Sequence, residues 1–290
     1  MAKKKTTPKA TATTTKSEVA KEVKIKEEVQ GLATDDMQGL RKMNLWLAVA
    51  FAVQAVAVVL FGGGKTVPIT SQYLSVDSLA SEGNGHQVLA LATRHLFDIR
   101  LTALAAIFLG LFALACLVTA TVARPLYEAQ LQRGSNMVRW IGFSLGASFV
   151  VVALAALGGV SDIATLMLMI VLTVVGFSLE PLAEKFKRAR AGRVVPHALC
   201  TASLASAAAP WVMLAVGVLG ALLWNGHVPV ATYILYGTTL VLFACWALAS
   251  HFRVRDQGKW ANVLYAEKMY MFLTLATGTV VAWQLFAGAL

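Results

Sequence analysis

The sequence predicts an all-α membrane protein, a bundle of seven transmembrane helices, and three observations predict it. The 290 residues are 58% hydrophobic with a mean hydropathy of +0.67 and only 14% charged, where a soluble domain is about a quarter charged. Lipid is therefore the solvent for most of the chain. Seven apolar runs are long enough to cross a hydrocarbon core of roughly 30 Å: Leu45–Phe61, Leu96–Ala123, Val138–Leu157, Ile163–Leu182, Ala198–Trp224, Val230–Ser250 and Leu264–Leu290. The third and fourth are separated only by Gly158-Gly159-Val160-Ser161-Asp162, which is turn chemistry, so they read as two spans. Charge is also segregated. All but Lys65, Arg94 and Arg100 of the 25 Lys and Arg residues lie on one side, in the stretch up to Lys42, Arg124–Arg139, Lys185–Arg193 and Arg253–Lys268. The positive-inside rule assigns that side to the cytoplasm, which gives a cytoplasmic N-terminus and an external C-terminus.

Two regions follow from the same reading. Residues 1–42 form a basic cytoplasmic tail, and residues 43–290 the transmembrane domain. Positions 1–34 are rich in Lys, Thr, Ala and Glu with no aromatic residue, so they cannot bury enough apolar surface to offset ordering entropy and are expected to be disordered. Val19–Val29 has the pattern of a short amphipathic helix, solvated because of its charges. No apolar stretch follows the early lysines until Leu45, which argues against a secretory signal peptide. A mitochondrial presequence is the weaker alternative, because Arg is absent before Arg41 and Glu18, Glu22, Glu27 and Glu28 are present.

The one long connection, Gly62–Thr93, opens with three glycines and continues with partial alternation and β-branched residues. That pattern predicts a short β-hairpin on the outer side, serving as a lid or a dimer contact rather than a site of chemistry.

Composition excludes several function classes. The net charge of +10 is explained by topology, so no nucleic-acid partner is implied, and a polybasic tail beside anionic lipid is the plain reading. Cys116, Cys200 and Cys245 sit on different spans with neither pairing nor metal-ligand spacing, and read as small buried apolar residues. Asp98, Arg100, Asp162 and Glu180 each lie within a turn or two of an interface and form no chain of acids across the bilayer, as a proton pump would need. No HExxH, Walker loop, Ser/His/Asp set or paired catalytic carboxylates occur, so an enzyme is not expected. Gly142-x-x-x-Gly146 and Gly217-x-x-x-Ala221 are small-xxx-small pairs, weak signals of close helix packing.

The last span carries the most specific pattern. Gly258-Lys259-Trp260-Ala261-Asn262, Tyr265-Ala266-Glu267-Lys268 and Ala282-Trp283-Gln284-Leu285-Phe286-Ala287-Gly288 resemble the seventh helix of heliorhodopsins. Arg139-Trp140 followed by Ser144 in the third span, Phe108-Leu109-Gly110-Leu111, Ala209-Pro210-Trp211 and Tyr236-Gly237 extend the resemblance from about Leu45 to the end. It implies a rhodopsin-like bundle with inverted topology, a two-stranded element in the outer loop, a homodimer, and retinal held as a Schiff base to a lysine of the seventh helix. At that lysine's position this chain has Gly278, and at the Schiff-base counterion glutamate it has Gly142, followed by Phe143 for a tyrosine. Two family histidines fall at Phe51, three residues before Gln54, and at Cys116.

A buried Lys⁺ without its carboxylate is costly in hydrocarbon, and so is the stranded carboxylate. Their joint absence fits relaxation of a charged site. Lys268 does not substitute, because it precedes position 278 by ten residues, roughly 15 Å along a helix. Glu267 and Lys268 read as an interfacial charge pair. No covalent cofactor is therefore expected, while noncovalent retinal or another apolar ligand stays open. The vestigial pocket is assigned to Trp140, Gly142, Phe143, Ser144, Trp211, Tyr236, Thr274 and Gly278, with Phe243 and Trp246 as further walls. Bulky side chains filling the pocket, or helices closing at the glycines, are the competing arrangements. The leading expectation is a non-photochemical sensory or scaffolding membrane subunit, acting through its tail with a cytoplasmic partner, its loops or its dimer surface. An apolar-ligand receptor or carrier is the alternative, and residual light sensing the third.

Overall fold

The computed structural model describes residues 34–84, 86–189, 194–224, 226 and 228–289. In chain order the elements are α1 (Thr34–Phe61), β1 (Thr66–Asp77), α2 (Ser78–Asn84), β2 (Val88–Arg100), α3 (Leu101–Ala120), α4 (Arg124–Gln132), α5 (Met137–Leu157), α6 (Ile163–Arg188), α7 (Val194–Leu223), α8 (Val230–Val254), a 3₁₀ turn (Gly258–Ala261) and α9 (Val263–Ala289). Seven of the helices, α1, α3 and α5 to α9, are long and apolar enough to cross a membrane. The protein is a multi-pass membrane protein with a seven-helix bundle.

Helix ends follow local chemistry. Asn136 caps α5 by accepting the Arg139 N–H at 3.0 Å, and Asp162 caps α6 by accepting that of Thr165 at 2.9 Å. Between those helices Gly159 adopts φ +84°, and the Val160 N–H closes back on the Ala155 carbonyl at 2.9 Å. The left-handed glycine ends α5 and confirms two spans rather than one long run.

α5 is the axis of the bundle: 72% of its apolar window is buried, against 17–44% for the other six. It packs on α3 and α6, while α9 packs on α1, α3 and α8. Small residues set the α3–α5 distance. A Cβ on Gly142 would collide with the Ala115 methyl, and one on Gly146 with the Phe112 ring. The Gly142/Gly146 pair is thus a close helix crossing, whereas Gly217 meets nothing nearer than 3.8 Å.

Three boundaries differ from expectation. The helix of the first span starts at Thr34, inside the stretch assigned to the tail, because Met37 and Leu40 are buried and extend the apolar face downward. The expected helix at Val19–Val29 lies outside the described residues. The hairpin is longer than expected: β1 and β2 pair antiparallel from Thr66↔Arg100 to Asp77↔Val88, with an irregularity at Ile69/Thr70. It absorbs Leu96–Arg100, which hydropathy had assigned to the second span. The hairpin docks on the α5–α6 turn, where the Thr70 N–H donates to the Ser161 carbonyl at 2.8 Å and the Gln72 N–H to Asp162 Oδ1 at 3.3 Å. Lys65 Nζ donates to the Gly288 carbonyl at 2.7 Å, linking the hairpin base to the end of α9.

Candidate functional site

Gly278 and Phe51, the positions that the resemblance equates with the lysine and a histidine, meet at one ring that the sequence reading did not single out, Phe112 on α3. A Cβ built on Gly278 would lie 2.7 Å from Phe51 Cε1 and 3.2 Å from Phe112 Cδ2. Phe112 is tilted against Phe51 with centroids 5.5 Å apart and stacks on Phe143 at 5.7 Å. Phe143 in turn stacks on Trp246 at 3.9 Å. Phe51 and Phe112 are fully buried. The signal for Phe112 was present in its position one turn before Cys116, on the same helix face.

This column of rings leaves two small cavities that share Phe143 as a wall. One, of about 40 Å³, lies toward the basic end among Asn44, Phe112, Cys116, Arg139, Glu267 and Thr274. The other, also about 40 Å³, is lined by Phe143, Trp211, Phe243, Trp246, Thr239 and Thr277. Pockets that bury a drug-sized ligand are about 300–1,000 Å³. The rings around Gly278 and the size of these voids do not fit a retinal.

Of the eight positions assigned to a vestigial pocket, the structure gathers only some. Phe143 borders both cavities, Trp211 the second and Thr274 the first. Gly278 abuts the ring column and Gly142 the Ala115 methyl of α3. The other three line neither cavity. Trp140 is fully buried among Phe177, Trp246 and Tyr270. Ser144 returns its hydroxyl to the Ile141 carbonyl at 2.8 Å. Tyr236 donates to the Leu154 carbonyl at 2.7 Å, near the turn after α5.

Two side chains facing the second cavity are buried without hydrogen-bond partners among the described residues, Trp246 through Nε1 and Thr277 through Oγ1. Each unpaired buried group costs about 1–3 kcal/mol, and water or a polar ligand atom would offset that cost.

Polar chemistry concentrates instead at the basic end. Arg139 forms ion pairs with Glu267 and, at 3.4 Å, with Glu184. Glu267 Oε1 accepts from Asn136 Nδ2 at 2.9 Å and from the Tyr127 hydroxyl at 3.1 Å, and Glu184 Oε2 accepts the Asn136 N–H at 3.1 Å. The guanidinium lies over the Tyr270 ring, 4.3 Å from its centroid. Burial pushes the Tyr127 phenol well above its ordinary range, so it stays a neutral donor. Glu267 is only 2% exposed, which corrects its reading as an interfacial partner of Lys268. Helical geometry turns the two neighbours about 100° apart, one inward and one outward. Glu180, near the inner end of α6, is also buried, and accepts from Ser203 at 2.8 Å. Among the described residues no group of three or more His, Cys, Asp or Glu could hold a metal ion.

The heliorhodopsin family model matches residues 40–290, which takes in all seven spans but for the first turns of α1, and the whole hairpin. No curated protein matches the chain.

Proposed function

From the premise that the chain belongs to the heliorhodopsin family, we propose that it is a non-photochemical member, a sensory or scaffolding membrane subunit that carries no covalent retinal. The observation supporting this reading is Gly278, with Phe51 and Phe112 against the place where a side chain would begin. Among the described residues no lysine lines either cavity. Gly142 offers no carboxylate to stabilise a protonated Schiff base, and the space it leaves is taken by Ala115. Family members are generally photoreceptor-like rather than enzymes. What remains for this chain is the bundle, its basic surface and its hairpin, in an orientation that places the N-terminus in the cytoplasm. A homodimer and a cytoplasmic partner engaged through residues 1–42 belong to the same proposal.

The test is a visible spectrum of the purified protein reconstituted with all-trans retinal. No band above that of free retinal is expected. A red-shifted band that hydroxylamine bleaches would overturn the proposal. The companion protein, Gly278→Lys with Gly142→Glu, distinguishes a disarmed pocket from a filled one, because only the former yields a pigment.

A further inference from the structure

The turn joining α8 to α9 is held rigidly from within. Arg253, only 5% exposed, donates Nη1 to the Trp260 and Ala261 carbonyls at 2.8 and 3.0 Å, and Nη2 to the Gly134 carbonyl at 3.3 Å. Asp256 and Gly258 take φ of +52° and +57°. Trp260 is wedged among Phe252, Tyr265 and Tyr270, with centroids 6.4, 5.5 and 6.0 Å away. Asn262 then caps α9, accepting the Leu264 and Tyr265 N–H groups at 2.8 and 3.1 Å.

This turn lies between two spans, one ending at Val254 and the next starting at Val263, so it sits at the depth of lipid headgroups. Outward it presents Arg255 and Lys259, with Lys268 on the second turn of α9, all three exposed. None of the three has an ion-pair partner among the described residues. The acids beside them in sequence are engaged elsewhere, Asp256 with Lys187 and Glu267 inward with Arg139. Trp260 and Tyr265 are half-buried beside the cations, and such rings favour the membrane–water boundary.

We propose that Arg255 and Lys259 on the Arg253-braced turn, with Lys268 on the start of α9, form a binding site for the phosphate of an anionic phospholipid headgroup. Unneutralised cations at the bilayer surface attract anionic lipid, and bracing lowers the ordering entropy that a flexible loop would lose on binding. Trp260 and Tyr265 supply the apolar flank against which the glycerol and upper acyl chains rest.

The full chain, reconstituted in nanodiscs of phosphatidylcholine with or without phosphatidylglycerol, tests this by native mass spectrometry of retained lipid. Phosphatidylglycerol retained over phosphatidylcholine is the expected result. Each single change to Gln weakens retention about fivefold, and Arg255→Gln/Lys259→Gln/Lys268→Gln together about 100-fold. Arg133→Gln/Lys185→Gln, which removes two exposed cations elsewhere at the basic end, leaves retention unchanged. Inorganic phosphate added to the bulk does not displace the lipid. Undiminished retention in the triple variant, or an equal loss in the control, would overturn the site in favour of diffuse attraction. Displacement by phosphate would overturn it in favour of a soluble anion.

Discussion

The contact between Gly278 and Phe51 makes a quantitative prediction about stability. Adding a methyl at Gly278 places it 2.7 Å from Phe51 Cε1, so the ring must retreat by roughly 1 Å, an overpacking cost of about 1–3 kcal/mol. Helix propensity returns about 1 kcal/mol when Gly becomes Ala, leaving Gly278→Ala destabilising by about 0–2 kcal/mol. Phe51→Ala removes a fully buried ring. Because lipid is as apolar as the interior, the transfer contribution largely vanishes. A void of ~100 Å³ at ~24 cal/mol per Å³ remains, about 2.4 kcal/mol. In the double variant the collision disappears with the ring, and the new methyl occupies part of the void. The pair is therefore expected to be more stable than the sum of the single effects by about 1–3 kcal/mol. Equilibrium unfolding in mixed micelles, with tryptophan fluorescence as the probe, measures all four corners of the cycle. Additivity within about 0.5 kcal/mol would refute the claim that Phe51 occupies the space above Gly278.

Other expectations follow from the polar ends. Glu267→Gln removes the charge that neutralises buried Arg139 and is expected to cost about 3 kcal/mol in the same unfolding assay, the low end for a broken buried pair because Glu184 remains. Gly142→Ala forces α3 and α5 apart and should destabilise by about 1–3 kcal/mol, whereas Gly237→Ala, which meets open space, should not. Asp162 is held below the usual carboxylate range, chiefly by the Thr165 backbone N–H and then by the Thr165 hydroxyl. A depressed folded-state pKa gives stability that is present above the unfolded pKa and lost as pH falls through the folded one. Hydrogen exchange of the Thr70 and Gln72 amides should therefore accelerate below the usual carboxylate range in the native protein. In Asp162→Asn that acid response should be absent.

The bundle was legible because lipid demands long apolar runs and because charge placement marks their ends. Hydropathy could not separate Leu96–Arg100 from α3, since a strand rich in Leu, Phe and Ile has the same composition as the start of a span. The residues Gly278, Gly142, Phe51 and Cys116 were readable one by one, but what packs against them was not. Only packing brings Phe51 of α1 and Phe112 of α3 together against Gly278 of α9. The Arg139–Glu184–Glu267 cluster escaped for a similar reason. Its members lie on three helices, and Glu267 beside Lys268 in sequence looks like a surface pair. The pattern Glu267, Tyr270, Thr274, Thr277 at helical spacing was the available hint of an inward polar stripe.

The ring column also constrains the routes by which such a protein could change. A lysine arriving at position 278 would meet Phe51 with its first carbon, and a glutamate arriving at 142 would meet the Ala115 methyl. Each would also bring an uncompensated charge into the bundle. Every one-step route toward a pigment therefore begins with a less stable protein. Steric and electrostatic barriers act together, so a single substitution at either position starts uphill.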